Sequence, residues 1–307
     1  LLKSIFFLEV IIEINDLSLK LDILNLNLKA KTVGTNINYK DRMIKLENIS
    51  SLISLKSLLN NNFSISNLNI STQSIEIKNF ISFIRLFKND AKLYVAEKII
   101  KKGYLIADIR FEFDNEGQVK DNFEINGYVK DGKINFFKDY KLEKVDLDFN
   151  LIKNRFKINK VNLQLNDNNI TIPNLELEKV KNKFLVSGDI SAKNFLIKDN
   201  LLKLIKSNFY NSDIKEIIIT SKTSFKFEIN EKFQIKNLKY DSNIDLKKLI
   251  LINNLSLKKF FPKINEKIEF QNHKILLNFD KDILNLKGSG DLSLQDEKDK
   301  IQYKIIK

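Results

Sequence analysis

The sequence predicts a mainly β protein built from antiparallel strands, and three observations lead there. Apolar and polar residues alternate with a period of two along most of the chain, as they do where one face of a strand is dry and the other wet. Helical spacing is confined to a few short stretches. A slip in the alternation recurs in separate segments, as though one strand unit were used several times.

Taken in order, the chain opens on "SIFFLEVIIEI", which is apolar but interrupted by Glu9 and too short for the roughly 20 apolar residues of a spanning helix. It shows no charged start, apolar centre and small-residue cleavage site, so it does not read as a signal peptide. The first residue is Leu1, not Met, and we expect a fragment of a longer chain whose anchor or export signal lies upstream. Residues 1–78 read as a β segment, and residues 79–103 as a helical insert. In that insert "NFISFIRLF" places Phe80, Phe83, Ile84 and Phe87 on one stripe behind an Asn79 cap, and "AKLYVAEKIIKKG" ends in basic residues followed by Gly103 as a stop.

Residues 104–307 return to alternation, so that 1–307 reads as a single elongated body. "YLIADIRFEFD" sets Leu105, Ala107, Ile109, Phe111 and Phe113 on one face and Asp108, Arg110 and Glu112 on the other, before the turn signal "DNEG". "NFEINGYV" continues with Phe123, Ile125 and Val129, and Asp131-Gly132 reads as a hairpin turn. The pattern recurs in Val145, Leu147, Phe149 and Leu151; in Phe184, Val186 and Ile190; in Phe225, Phe227 and Ile229; and in Ile275, Leu277 and Phe279. One further helix is expected over residues 199–208, capped by Asp199 or Asn200. Three short helices cannot cover this much sheet. Its apolar face must close on itself, pack on another sheet, or meet an apolar partner.

The slip is plainest in "FSISNLNIS", residues 63–71, where Phe63 and Ile65 have one parity and Leu68 and Ile70 the other. "FKINKVNL" repeats it with Phe156, Ile158, Val161 and Leu163, and "FQIKNLKY" with Phe233, Ile235, Leu238 and Tyr240. Such a slip either turns the strand over or marks a bulge that keeps one face apolar. The copies are unequally spaced, which argues against a fixed-period solenoid. "SGDIS" at 187–191 recurs as "SGDLS" at 289–293.

Composition narrows the function classes. A chain of 307 residues that is 43% hydrophobic can bury a core. With 8 Gly and 2 Pro, Asn, Asp and Lys must supply most of the turns. The net charge of +13 invites a nucleic-acid or membrane-surface reading, but the lysines are scattered among Asp and Glu, as in "QDEKDKIQYK", which is the texture of a solvated face. The phenylalanines fall opposite the charges, where they could not stack on bases, so no nucleic-acid partner is expected.

Chemistry is sparse. The absence of Cys removes disulfides, thiolate metal sites and thiol nucleophiles. His273 is the only histidine and reads as a solvated strand residue, not a base or a zinc ligand. Asp146 and Asp148 share a strand face but read as the wet side opposite Val145, Leu147 and Phe149. Asp114, Asn115 and Glu116 before Gly117 miss the spacing of a calcium loop, and "KGSGD" lacks the Lys-Ser/Thr of a phosphate loop. No catalytic residue, metal site or cofactor is expected, and the protein does not read as an enzyme.

Two stretches, "ISLKSLLNNNFSISNLNISTQSIEIKNFISFIRLF" and "KKGYLIADIRFEFDNEGQVKDNFEINGYVKDGKINFF", resemble the AsmA-like superfamily of Gram-negative envelope proteins, the group that includes AsmA, TamB and YhdP. The likeness rests on the "xSLxSLLxxxFxIxxLxI" segment from Ser54 to Ile70, a short helix after it, and long strands ending in "GxVxDGxI" from Gly127 to Ile134. "FKFEINEKFQIKNLKYDSNIDL" continues the style. The resemblance implies a twisted antiparallel sheet curled into an open groove, apolar inside. It further implies a periplasmic bridge, attached to the inner membrane by an upstream helix that this chain lacks, which lets phospholipid acyl chains travel towards the outer membrane, with envelope proteins as possible partners. The groove residues are then Leu105, Ile109, Phe111, Phe113, Phe123, Ile125, Val129, Phe184, Val186, Phe225, Phe227 and Ile229. The alternatives are an outer-membrane β-barrel, against which stand the absence of Trp and the scarcity of Gly, and a structural or adhesive β-solenoid.

Overall fold

The computed structural model describes residues 10–40, 42–60, 62–87, 91–137, 140–197, 212–230, 232, 234–253, 267–294 and 297–307. Among them, sixteen strands belong to one sheet, in the order β1-β2-β3-β4-β6 and then consecutively to β16, with the short β5 paired to β6. Neighbouring strands run antiparallel, as the alternation predicted. β1 and β16 end the order without pairing to each other, so the sheet is open and is not the closed barrel held as an alternative.

The chain divides into two compact units, Leu1–Ile158 and Asn159–Lys307. In the first, β1 (Val10–Asp22), β2 (Asn27–Tyr39) and β3 (Arg42–Ser54) form a meander that leads into α1 (Leu55–Leu59), β4 (Ile65–Thr72) and β5 (Ile75–Glu76). α2 (Ile77–Phe87) and α3 (Ala91–Ile99) follow, then β6 (Ile100–Glu112), β7 (Glu124–Phe137) and β8 (Tyr140–Ile152). β9 (Arg155–Leu165) spans the division. The second unit holds β10 (Asn168–Val180), β11 (Lys183–Ile197), β12 (Ser212–Asn230), β13 (Ile235–Asn253), β14 (Lys267–Asp280), β15 (Ile283–Leu294) and β16 (Glu297–Ile306).

In the first unit, Ile44, Leu46 and Ile75 form a buried cluster against which Phe80 and Phe83 of α2 pack, so the helix covers one end of the apolar face. An Arg85–Glu97 ion pair ties α2 to α3, and the Arg85 guanidinium lies 4.9 Å from the centre of the Tyr94 ring. In the second unit, Ile197, Ile214, Ile217 and Leu246 are the buried centre, with Phe195, Ile219, Leu249 and Phe270 packed against them. Tight hairpins join several strands. Asn166-Asp167 (φ 46° and 69°) and Lys281-Asp282 (φ 51° and 63°) are two-residue loops with both central residues left-handed, the geometry that matches strand twist.

Several sequence expectations are corrected. Asp131-Gly132 is not a turn: β7 runs through it, and the register against β8 slips between Val129/Leu147 and Gly132/Val145 where Asp131 has φ 51°. Aspartate tolerates the left-handed region, which serves a bulge as well as a hairpin. Asn79 is not a cap, because α2 starts at Ile77 and the Asn79 amide donates to Glu76 Oε2 at 3.0 Å. Gly103 does not stop a helix; it lies in β6, where a Cβ would stand 3.0 Å from Gly132 Cα. The short α1, capped by the Ser54 hydroxyl on Ser57 N–H, was not anticipated. The expected helix over 199–208, with its Asp199 or Asn200 cap, lies outside the described residues.

Two of the parity slips are bulges by their strand pairing. Leu52 pairs with Asn67 and Ile53 with Ile65, leaving Ser66 as an extra residue in β4. Lys226 pairs with Lys239 and Glu228 with Lys236, and the extra residue is Asn237, with φ 52°. In the third copy Lys160, between Ile158 and Val161, has φ 51°. Phe233 lies outside the described residues. In the first two copies one added residue resets the alternation, so the apolar side chains before and after it stay on one face.

Candidate apolar binding face

Strand register assembles the apolar residues into rows that cross the strands. In the first unit Leu17, Thr32, Ile49, Ile70, Ile109, Ile125 and Leu151 stand opposite one another from β1 to β8. A parallel row carries Ser51, Leu68 and Phe111, and another carries Leu105, Val129 and Leu147. The Phe111 ring lies 6.5 Å from that of Phe123, and Phe113 lies 5.4 Å from Phe63. Of the seven groove residues expected between Leu105 and Val129, five stand in these rows, and Phe113 and Phe123 join through the ring contacts.

In the second unit Leu177, Val186 and Phe227 belong to one row. The next contains Gly188, Phe225, Tyr240, Phe279 and Leu284. Phe225 stacks on Phe227 at 5.8 Å, and Tyr240 stacks on Phe279 at 5.3 Å. Phe184 shares this face opposite Ile229, but at the strand end it remains 39% exposed. Tyr240, Phe279 and the row of Leu277, Leu286 and Ile305 were not among the sequence candidates; Tyr240, Leu277 and Phe279 carried the parity signal, whereas Leu286 and Ile305 did not.

Several polar groups on this face are paired. The Thr223 and Ser242 hydroxyls are 2.7 Å apart, as are those of Thr32 and Thr35, and the Thr72 hydroxyl accepts the Ala107 N–H at 2.8 Å. Pairing removes most of the penalty for a hydroxyl in dry surroundings. His273 belongs here too, which corrects its expected solvation: it is 0% exposed. Its Nε2 donates to the Asp291 carbonyl at 2.9 Å, and its Nδ1 accepts from the Tyr303 hydroxyl at 3.1 Å, the roles that a carbonyl acceptor at Nε2 assigns. Burial pushes the Tyr303 hydroxyl above its ordinary pKa. His273 shares parity with Ile275, Leu277 and Phe279, so the alternation already placed it on the dry side; its partners on β15 and β16 were not legible.

The opposite face is ionic. Arg110 pairs with Glu112 at 2.9 Å, Lys183 with Glu228 at 3.0 Å and Lys248 with Glu216 at 2.8 Å. The Asn122 amide, followed by the Arg110 guanidinium, lowers the Glu112 pKa. Asp146 accepts from Lys130 and from the Asp131 N–H. Asp114 Oδ1 accepts the N–H groups of Glu116 and Gln118, both at 2.9 Å, which makes "DNEG" a turn. Among the described residues no group of three His, Cys, Asp or Glu side chains could hold a metal ion, and no helix is long and apolar enough to cross a membrane.

No family model matches the chain, and neither the curated proteins nor the solved structures include a match.

Proposed function

We propose that the apolar face of each unit holds phospholipid acyl chains, and that the protein is a non-enzymatic component of the Gram-negative envelope that supports lipid transport between inner and outer membranes. One observation carries this reading: rows of aliphatic and aromatic side chains cross each unit, and several of the polar groups lying among them, Thr32 and Thr35, Thr72, Thr223 and Ser242, and His273, are hydrogen-bonded. An acyl chain gains about 0.8 kcal/mol for each CH2 removed from water, and such rows offer area without asking for a hydrogen bond. Headgroups would stay in water. On this reading the chain works in the periplasm, attached to the inner membrane through a segment upstream of it, with envelope proteins as partners at either membrane.

The test is photo-crosslinking in cells from a reactive residue placed at 111 or 227, compared with 110 or 226. Lipid adducts should form from the first pair and not from the second. Equal labelling from both faces, or none from either in a folded protein, overturns the proposal.

A further inference from the structure

One end of the first unit carries apolar side chains that no core claims. In the β1–β2 turn Ile23 is 71% exposed and Leu24 96%, and in α1 Leu58 is 56% exposed and Leu59 80%. The two segments are joined, since Leu55 N–H donates to the Leu26 carbonyl at 2.8 Å. Some of their polar groups are occupied internally: Leu26 N–H meets the Ile23 carbonyl, Asn62 N–H the Ser57 carbonyl, and the Asn25 N–H and amide both donate to the Asp22 carboxylate. These bonds lower the polar cost of bringing the tip's apolar side chains out of water.

Immediately behind it, Lys20 and Lys29 stand directly opposite each other on β1 and β2, and Lys56 closes the last turn of α1. Like charges in facing positions destabilise a strand pair, and neither Lys20 nor Lys29 makes an ion pair among the described residues. An anionic surface would relieve that repulsion. The row of Leu21, Leu28 and Ile53 then leads from the tip onto the apolar face.

We propose that the β1–β2 turn and α1 form a bilayer-docking tip, in which Ile23, Leu24, Leu58 and Leu59 enter the acyl region of an anionic phospholipid surface while Lys20, Lys29 and Lys56 remain among its headgroups. The partner is a lipid bilayer, because Leu24 and Leu59 stand almost wholly exposed at the tip while the cations form a band behind, the layering of an interfacial anchor. This deepens the lipid-carrying reading and rests on it for its purpose.

The chain contains no Trp, so Leu24→Trp introduces a single reporter. Its emission should shift to the blue with vesicles of phosphatidylcholine and phosphatidylglycerol, shift less with phosphatidylcholine alone, and be quenched by brominated acyl chains. Leu276→Trp, exposed on the ionic face of β14, should not respond. Lys20→Glu with Lys29→Glu should remove the preference for phosphatidylglycerol, and Leu24→Asp with Leu59→Asp should lower vesicle flotation about tenfold. No shift at position 24, an equal shift at 276, or a shift produced by envelope proteins and not by vesicles overturns the tip. Loss of crosslinks at 111 with vesicle docking intact would instead sink the carrier reading alone.

Discussion

His273 lies over Gly290: a Cβ on that glycine would stand 2.4 Å from the imidazole Cδ2 and Cγ, and 2.7 Å from the His273 Cα. The ring fills space that only a missing side chain leaves open. Gly290→Ala must displace both ring and backbone and should cost about 1–3 kcal/mol, read as a lower urea midpoint. His273→Ala in the same chain should restore only part of it, because the clash with the backbone of residue 273 persists. Alone, His273→Ala should lower stability yet leave lipid crosslinking per folded molecule intact, since the imidazole has a structural role. An unchanged midpoint for Gly290→Ala would show that the ring does not occupy this column.

Ile214 is 3% exposed in the centre of the second unit. Ile214→Ala should destabilise by about 2–4 kcal/mol through lost burial and the cavity left behind. Ile306→Ala, on an exposed residue of β16, should stay within about 0.5 kcal/mol. Equal losses in chemical denaturation would contradict the assignment of the core.

The Lys281-Asp282 loop holds both residues left-handed at a conformational cost that Asn-Gly avoids. Lys281→Asn with Asp282→Gly should raise the thermal midpoint, by about 1 kcal/mol in stability. A decrease would mean that the loop does not adopt this turn.

Asp189 joins three strands on the ionic face, accepting the Ser224 hydroxyl at 2.5 Å and the Asn174 amide at 2.8 Å. These bonds, the Ser224 one first, hold its pKa below the ordinary 3.8. The folded state thus binds this proton less readily than the unfolded chain, so the contribution is present above the unfolded pKa and lost as the pH falls through the folded one. Stability should drop on acidification below about pH 4, and Asp189→Asn should flatten part of that drop. Identical acid profiles for the two proteins would argue against the bridge.

Charge on the dry face should block acyl chains. Phe111→Asp with Phe227→Asp puts carboxylates where burial costs several kcal/mol, so lipid recovered with the protein should fall while the far-ultraviolet circular dichroism of the sheet remains. Arg110→Asp with Lys226→Asp changes the other face and should leave lipid recovery nearly unchanged. Parallel losses in both variants would locate the effect in stability and not in the face.

The strands were legible in the sequence because one face is dry: Ile109, Phe111, Ile125, Phe225 and Phe227 betray it by parity alone. The slip in "FSISNLNIS" was legible as a break, and the pairing around Ser66 shows which residue is added. Asp131-Gly132 misled because a left-handed Asp looks the same in a bulge and in a turn; only the continued pairing of β7 with β8 separates them. The surroundings of His273 come from residues 18 and 30 positions away, beyond the reach of any local pattern. The five residues of α1 are too few to show a helical period, so the exposed Leu58 and Leu59 carried no signal.

The order of strands has a bearing on biogenesis. Nearly every strand lies beside the one made just before it, and the main excursion is the helical stretch between β4 and β6. Most hairpins therefore close only a short loop, at small entropic cost. The sheet can be laid down as the chain emerges, without waiting for a distant segment to complete an early one. The same arrangement lets a gene gain or lose a hairpin with no rethreading of what is already built, so length is a quantity that selection can adjust one strand pair at a time.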